Sequence, residues 1–473
     1  MDGLECKEVC KSELERTLRI DSEFYSKNYV EIYNMLSALA HKPLTSYVDV
    51  SDGNHMGISE QFSDEGIPYY RGQDAGAFFI ENSNPICIDE ITFNRPVMRR
   101  SHLRQGDVLL SIVGTIGALS LVYSNKKATC SCKLAILRPK KSDTEAVIAT
   151  FLKGKYGQAQ IKRYTRGAVQ MGLILEDIDQ IIVPHFSDTF GKTIKQQIDL
   201  AYGIKEHSIQ TYSEAQELLE THLGISKAEE CELITSTETL LQSFKATGRL
   251  DAEYYQPQYR KLETALIKYD PNIKTLGAIA KYIFTGEYAE EYLAKDALPN
   301  LRNYIRGTDI SNGYIEGDNS ICIDPTGFSK FISSGDILTG RVGTIGKFGV
   351  VDETLSGALC SDNILCFHLP ESYMPNVYAL YFNNPIVKSL ITRLARGSVQ
   401  QRLNQETLRE VLVPYINGSV QTLINQKVTS SFNLREKSEH ILEIAIRTVE
   451  MAIEQGEDTA LAWLKDKTST SEV

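Results

Sequence analysis

Two short segments carry the residue types best suited to touching a phosphate or a base edge. Arg166-Gly167 with Gln170, and Arg396-Gly397 with Gln400, lie 230 residues apart in matching surroundings. A glycine lets the backbone come close, an arginine matches guanine in the major groove, and a glutamine matches adenine. Two GTIG tetrapeptides, at 114–117 and 343–346, have the glycines of a phosphate loop. Each lies between apolar runs without the GxxxxGK[ST] spacing, however, which is the context of a hairpin turn. Residues for catalysis are missing. The chain has no GxxxxGK[ST], no HExxH, no well-spaced Asp…Glu-x-Lys cluster and no FxGxG or NPPY-type segment. Asn383-Asn384-Pro385-Ile386 comes nearest to the last and lacks its aromatic residue. Nine cysteines include no CxxC, and Cys130-x-Cys132 is too close for the usual zinc pair. Cys87 and Cys322 read as small buried hydrophobes. The eight histidines are scattered, and His207 and His222 read as helix-face residues.

The elements that must position these residues are duplicated. GDVLLSIVGTIG (106–117) returns as GDILTGRVGTIG (335–346), RIDSEFY (19–25) as RLDAEYY (249–255), and YYRGQD (69–74) as YIRGTD (304–309). ICIDE (86–90) returns as ICIDP (321–325), and TRGAVQMGLILEDIDQIIVP (165–184) as ARGSVQQRLNQETLREVLVP (395–414). One order and nearly one offset mean a tandem duplication of a unit of about 230 residues. Within the first copy, 108–114, 118–124 and 133–139 read as strands and 146–156 as a helix. An amphipathic helix is expected from RIDSEFY onward, with Phe24, Tyr29, Ile32, Leu36 and Leu39 on one face. A long helix follows each copy. Its apolar stripe is Ile194, Ile198, Ala201, Ile209, Tyr212, Ala215 and Leu219 in the first, and Val420, Ile424, Val428, Phe432, Ile441, Ala445, Val449 and Ala452 in the second. Each helix has one apolar face, so the simplest arrangement packs the two antiparallel. The expected fold is α+β: two repeated globular domains (1–187 and 248–417), two long helices (188–247 with a linker, and 418–458) and a flexible tail (459–473).

The formal net charge is −11, yet charge is segregated. Residues 68–170 hold 16 Lys and Arg against 7 Asp and Glu, whereas 302–402 hold 9 against 9. The first copy therefore has the electrostatic footprint of a phosphate binder. Residues shared by both copies, Arg71 and Arg306 among them, suit structure or phosphate positioning. Base readers belong where the copies diverge: 94–104, 124–129 and 153–163 in the first, 286–298, 341–347 and 388–393 in the second. The candidate DNA contacts are Arg71, Arg99, Arg100, Lys126, Lys127, Arg163, Arg166 and Gln170, with Arg306, Arg341, Lys347, Arg393, Arg396 and Gln400. No run of 18 apolar residues suggests a membrane span, and the first residues lack the apolar core of a leader. The cysteine usage reads as a reducing, cytoplasmic compartment.

In their order and duplication, the GD-[VI]-L…GTIG and RG-x-V-Q…VP segments, each unit followed by a long helix, resemble the specificity subunit of type I restriction-modification enzymes. The resemblance covers nearly the whole chain. It implies that each globular domain reads one half of a split double-stranded DNA site. It implies that the helices set the gap between half-sites and dock two methyltransferase subunits, which flip and methylate adenine with adenosylmethionine. Motor-nuclease restriction subunits can join such complexes. The chain itself would be non-catalytic and hold no cofactor. The near-neutral second copy departs from that pattern. Two other readings stand beside it: an interaction scaffold without base readout, and a self-contained methyltransferase or nuclease.

Overall fold

The computed structural model describes residues 8–80, 85–167, 171–225, 237–241, 243–295, 297–316, 321–343, 345–395 and 402–470. The chain divides into two units. Unit 1 is Met1–Glu206 with Leu434–Val473, and unit 2 is His207–Asn433. The division falls inside both long helices, so each unit owns one half of each.

Unit 1 is built on an antiparallel sheet ordered Val48–Asp52, Leu134–Pro139, Val108–Ser111, Leu119–Leu121. Every residue of Val108–Ser111 is buried. Successive side chains alternate between faces: Val108 and Leu110 join the core of Phe24, Ile148 and Leu152, while Leu109 joins Cys130, Leu134 and Ile136. A sheet covered on both faces needs apolar residues at consecutive positions, hence the unbroken run in the sequence. GTIG is the turn after this strand, with Gly114 and Gly117 both at φ +86°, a region glycine reaches without strain. A smaller sheet joins Phe62–Ser63, Cys87–Ile88, Ile67–Tyr70 and Thr129–Cys130. The helix expected at 146–156 is two helices, Glu145–Lys153 and Lys155–Tyr164. The chain breaks at Gly154, where a Cβ would lie 3.3 Å from Glu450 Oε1. After a first short helix, Lys11–Thr17, the helix expected from RIDSEFY onward begins only at Lys27, because Glu23–Tyr25 forms a 3-10 turn.

Unit 2 repeats the plan. Its larger sheet runs Tyr282–Thr285, Ile364–His368, Ile337–Gly340, Phe348–Val350, with Gly313–Tyr314 added in parallel at the edge. Its smaller sheet joins Leu293–Ala294, Ile321–Ile323, Arg302–Ile305 and Leu359–Cys360.

The long helices are Asp188–Leu223 and Gly418–Gln455. In unit 1, Ile194, Ile198 and Ala201 share a core with Ile441, Ala445 and Val449, and Ser438 Oγ donates to Ala201 O at 2.7 Å. In unit 2, Ser208 Oγ donates to Ser431 O at 2.7 Å, Ser431 Oγ to Ser208 O at 2.8 Å, and Lys427 pairs with Glu214 at 2.7 Å. Rising numbers on one helix meet falling numbers on the other, so the halves in each unit run antiparallel. Ile209, expected in the stripe, is 49% exposed, and Ser208 takes the inward position instead. The tail expected to be flexible is helical over Glu457–Thr470, with Ala460 and Leu464 buried. Among the described residues, no helix is long and apolar enough to cross a membrane.

Candidate nucleic-acid interface

Several shared arginines hold the scaffold together. Arg71 donates from its backbone N and Nε to Asp74 Oδ2 at 2.8 and 3.2 Å, and Arg306 does the same to Asp309 Oδ2 at 2.7 and 3.3 Å. Both pairs close a 3-10 turn. Arg166 pairs with the buried carboxylate of Asp177, and its backbone exchanges two hydrogen bonds with Gly172, at 2.8 and 2.7 Å. Gln170, Arg396 and Gln400 lie outside the described residues.

The structure places Arg163 and Arg393 in the interior. Arg163 is 7% exposed, and its guanidinium carbon lies 4.3 Å from the Phe24 ring centre and 4.6 Å from that of Tyr33. Arg19 stacks 4.5 Å from the same Phe24 ring while forking onto Asp21 at 2.9 and 2.6 Å. Unit 2 repeats this with Tyr254, which has Arg249 and Arg393 each at 4.5 Å. The repeated R-[IL]-D-x-E-[FY]-Y motif therefore builds an arginine-aromatic-arginine clamp. In sequence such arginines look like surface cations. The signal that marks them is their strict pairing with an aromatic residue in both copies.

The exposed cations of unit 1 gather where two divergent segments meet. Asp89 caps the short helix Glu90–Phe93 through Thr92 N at 2.7 Å, and the turn Pro96–Ser101 follows. Met98 is fully buried and anchors that turn, leaving Arg99 and Arg100 exposed. Ser101 Oγ lies 2.7 Å from Thr129 Oγ1, which brings the turn beside the loop bearing Lys126 and Lys127. Lys127 pairs with Glu90 and Arg100 with Asp52. Arg95, Arg99 and Lys126 make no ion pair among the described residues. Ile91 and Val97, 81% and 52% exposed, lie on the same two short segments. Exposed cations beside exposed apolar groups can position a duplex and touch base edges.

Unit 2 gathers its cations elsewhere, around its GTIG turn. Arg341 Nη1 donates to Asp362 O at 2.8 Å, and its backbone O accepts from Leu403 N at 3.0 Å, beside the exposed Arg402. Lys347 is exposed at the end of the turn. Lys388 packs against it so closely that a Cβ on Gly346 would meet Lys388 Cε at 2.6 Å. Burial, and then the neighbouring Lys347, push the Lys388 ammonium pKa below its ordinary value. A near-zero net charge thus conceals a local cationic cluster. No grouping of His, Cys, Asp and Glu side chains among the described residues could hold a metal ion.

No protein-family model and no curated protein matches the chain. Solved structures do. An S subunit of a type I restriction-modification system from M. genitalium is 12% identical at a TM-score of 0.40, covering 87% of this chain and 95% of that one. The chain is similar to S subunits. A second such structure, the HsdS subunit from Thermoanaerobacter tengcongensis, is 12% identical at a TM-score of 0.29, covering 88% and 96%. The type IIG restriction endonuclease BpuSI is 10% identical at a TM-score of 0.29, covering 41% and 30%.

Proposed function

We propose that this chain is a non-catalytic DNA-specificity subunit of a type I restriction-modification complex. Each unit reads one half of a bipartite, asymmetric site in double-stranded DNA. Methylation is performed by two bound methyltransferase subunits that carry the adenosylmethionine, and restriction subunits can join. One observation carries this reading: the two copies keep the same main sheet order and arginine clamp and place their exposed cations at different positions. Identical readers would give a symmetric site, whereas these are unlike. Phosphate contacts supply affinity that falls with salt.

The test is a selection on random duplex DNA with the chain and a methyltransferase partner. Enrichment of a split motif with two unlike halves is expected. Recovery of no motif would leave a scaffold without base readout. Methyl transfer by the chain alone would contradict its non-catalytic role.

A further inference from the structure

Unit 1 contains a cavity of about 540 Å³. Its floor is Tyr47, Val147, Ile148 and Phe186, and its rim carries Lys42, Lys140, Lys141, Lys192 and His185. The register of the small closing sheets, Lys42 opposite Val183 and Lys274 opposite Val413, fixes the matching place in unit 2. There the space is filled. Tyr373 packs on Tyr378 and Tyr415 with ring centres 5.0 and 5.6 Å away. Gln421, 1% exposed, accepts from Met374 N at 2.8 Å and donates to Ser372 O and Ile416 O at 2.9 and 2.7 Å.

Unit 1 replaces each filler. At the 230-residue offset, Tyr373, Tyr378, Tyr415 and Gln421 correspond to Asp143, Ile148, His185 and Gly191. A Cβ added at Gly191 would meet nothing within 4 Å, so the space occupied by Gln421 in unit 2 is open here. The rim changes in the same direction: Pro370, Glu371 and Thr422 become Lys140, Lys141 and Lys192. The two acids at the cavity are engaged, Asp188 by Lys141 at 2.9 Å and Asp143 by Lys195 at 3.9 Å. Lys42 and Lys192 have no ion-pair partner among the described residues. Tyr47 Oη is buried without a hydrogen-bond partner there. The cavity is also lined by the first turn of the 36-residue helix, whose cap residue Ser187 already holds the Glu457 carboxylate through N at 2.8 Å and Oγ at 2.5 Å. Removing a plug and adding cations together make a site for an anionic ligand with a flat apolar body. The volume lies in the range of small-molecule sites.

We propose that this cavity binds a nucleoside polyphosphate, its phosphates on Lys42 and Lys192 and its base against Tyr47 and Phe186. The inference goes beyond the DNA-reading role and does not depend on it. The test is isothermal titration of the full chain with ATP, AMP and adenosine, together with Gly191→Gln and Lys192→Thr variants. ATP is expected to bind once per chain, AMP more weakly and adenosine not measurably. Gly191→Gln installs unit 2's plug in open space, so it should weaken ATP binding about tenfold or more without lowering the thermal midpoint. No heat with ATP, or unchanged affinity in Gly191→Gln, would overturn the assignment. Displacement of ATP by a short random-sequence duplex would also overturn it, by showing that nucleic acid is the occupant. The DNA selection reads the other proposal and is unaffected by either result.

Discussion

Where unit 1 carries Arg99 and Arg100, unit 2 carries Phe328 and Ser329. The bridges His102–Thr129 and Phe331–Leu359 mark the two places as equivalent. In unit 1, Asp52 takes the Arg100 side chain and the turn keeps Arg99 outward. In unit 2, Glu287 takes the backbone N–H groups of Ser329 and Lys330, both at 3.0 Å, and the segment closes on an acid. The GTIG turns differ in the opposite sense: Ile112, Ala118 and Gln158 of unit 1 stand where unit 2 has Arg341, Lys347 and Lys388. A duplicated scaffold has thus been given two different cationic faces while its main strands and arginine clamps were kept. Surface positions tolerate such change because they carry little of the folding energy, whereas the packed interior does not.

Breaking what the units share should have the largest effect. Arg163→Ala removes a buried guanidinium stacked on Phe24 and Tyr33 and should cost about 3 kcal/mol in urea unfolding. Arg393→Ala, with Tyr254 and Tyr259 as its rings, should cost about 2 kcal/mol by the same principles. Lysine should rescue neither, since only the planar fork stacks.

An intermediate effect should come from a network that, among the described residues, belongs to unit 1 alone. Glu454 accepts from Lys155 at 2.7 Å, Tyr156 at 2.9 Å and Arg447 at 3.1 Å. Unit 2 has Gly224 at that position and, among the described residues, retains only the hydrogen bond from Asn384 to Glu220, at 2.6 Å. Burial raises the Glu454 pKa, but the bonds from Lys155, Arg447 and Tyr156 outweigh it and hold the group at about 2, against an ordinary 4.5. A depressed folded pKa contributes stability above the unfolded value and loses it as pH falls. Glu454→Gln should therefore cost about 2 kcal/mol at neutral pH. That difference should shrink as pH drops from 4.5 towards 2, as pH-dependent urea melts would show. A cost independent of pH would mean that the carboxylate charge contributes nothing.

The smallest change in free energy should come from the face that distinguishes the units. Arg99→Ala with Arg100→Ala should weaken duplex binding about tenfold at moderate salt and flatten the log-affinity against log-salt slope by roughly 2. Substituting Phe328 and Ser329 should leave the slope unchanged. Fluorescence anisotropy over a salt series compares the two.

The repeat, the main strands and the long helices were legible because their periodicity reflects burial. Val108–Ser111 reads as a continuous apolar run because both faces of its sheet are covered. Less legible were features in which a polar residue does interior work. Ser208 and Ser431 occupy the helix seam by bonding each other's backbone, so an apolar stripe misses them and selects Ile209 instead. Arg163 is cationic in sequence and aromatic-bound in the fold. The cavity of unit 1 follows from a difference between copies, glycine against Gln421, which no motif announces. The last helix packs Ala460 and Leu464, too few apolar residues to stand out in a polar tail.

The central claim is that each unit reads its own half-site. It is tested most directly by replacing residues 1–186 with the corresponding unit of a different chain and mapping methylated adenines in cells that also carry the methyltransferase partner. One half of the recognised motif should change and the other half stay as it was. A change in both halves, or in neither, would contradict the claim.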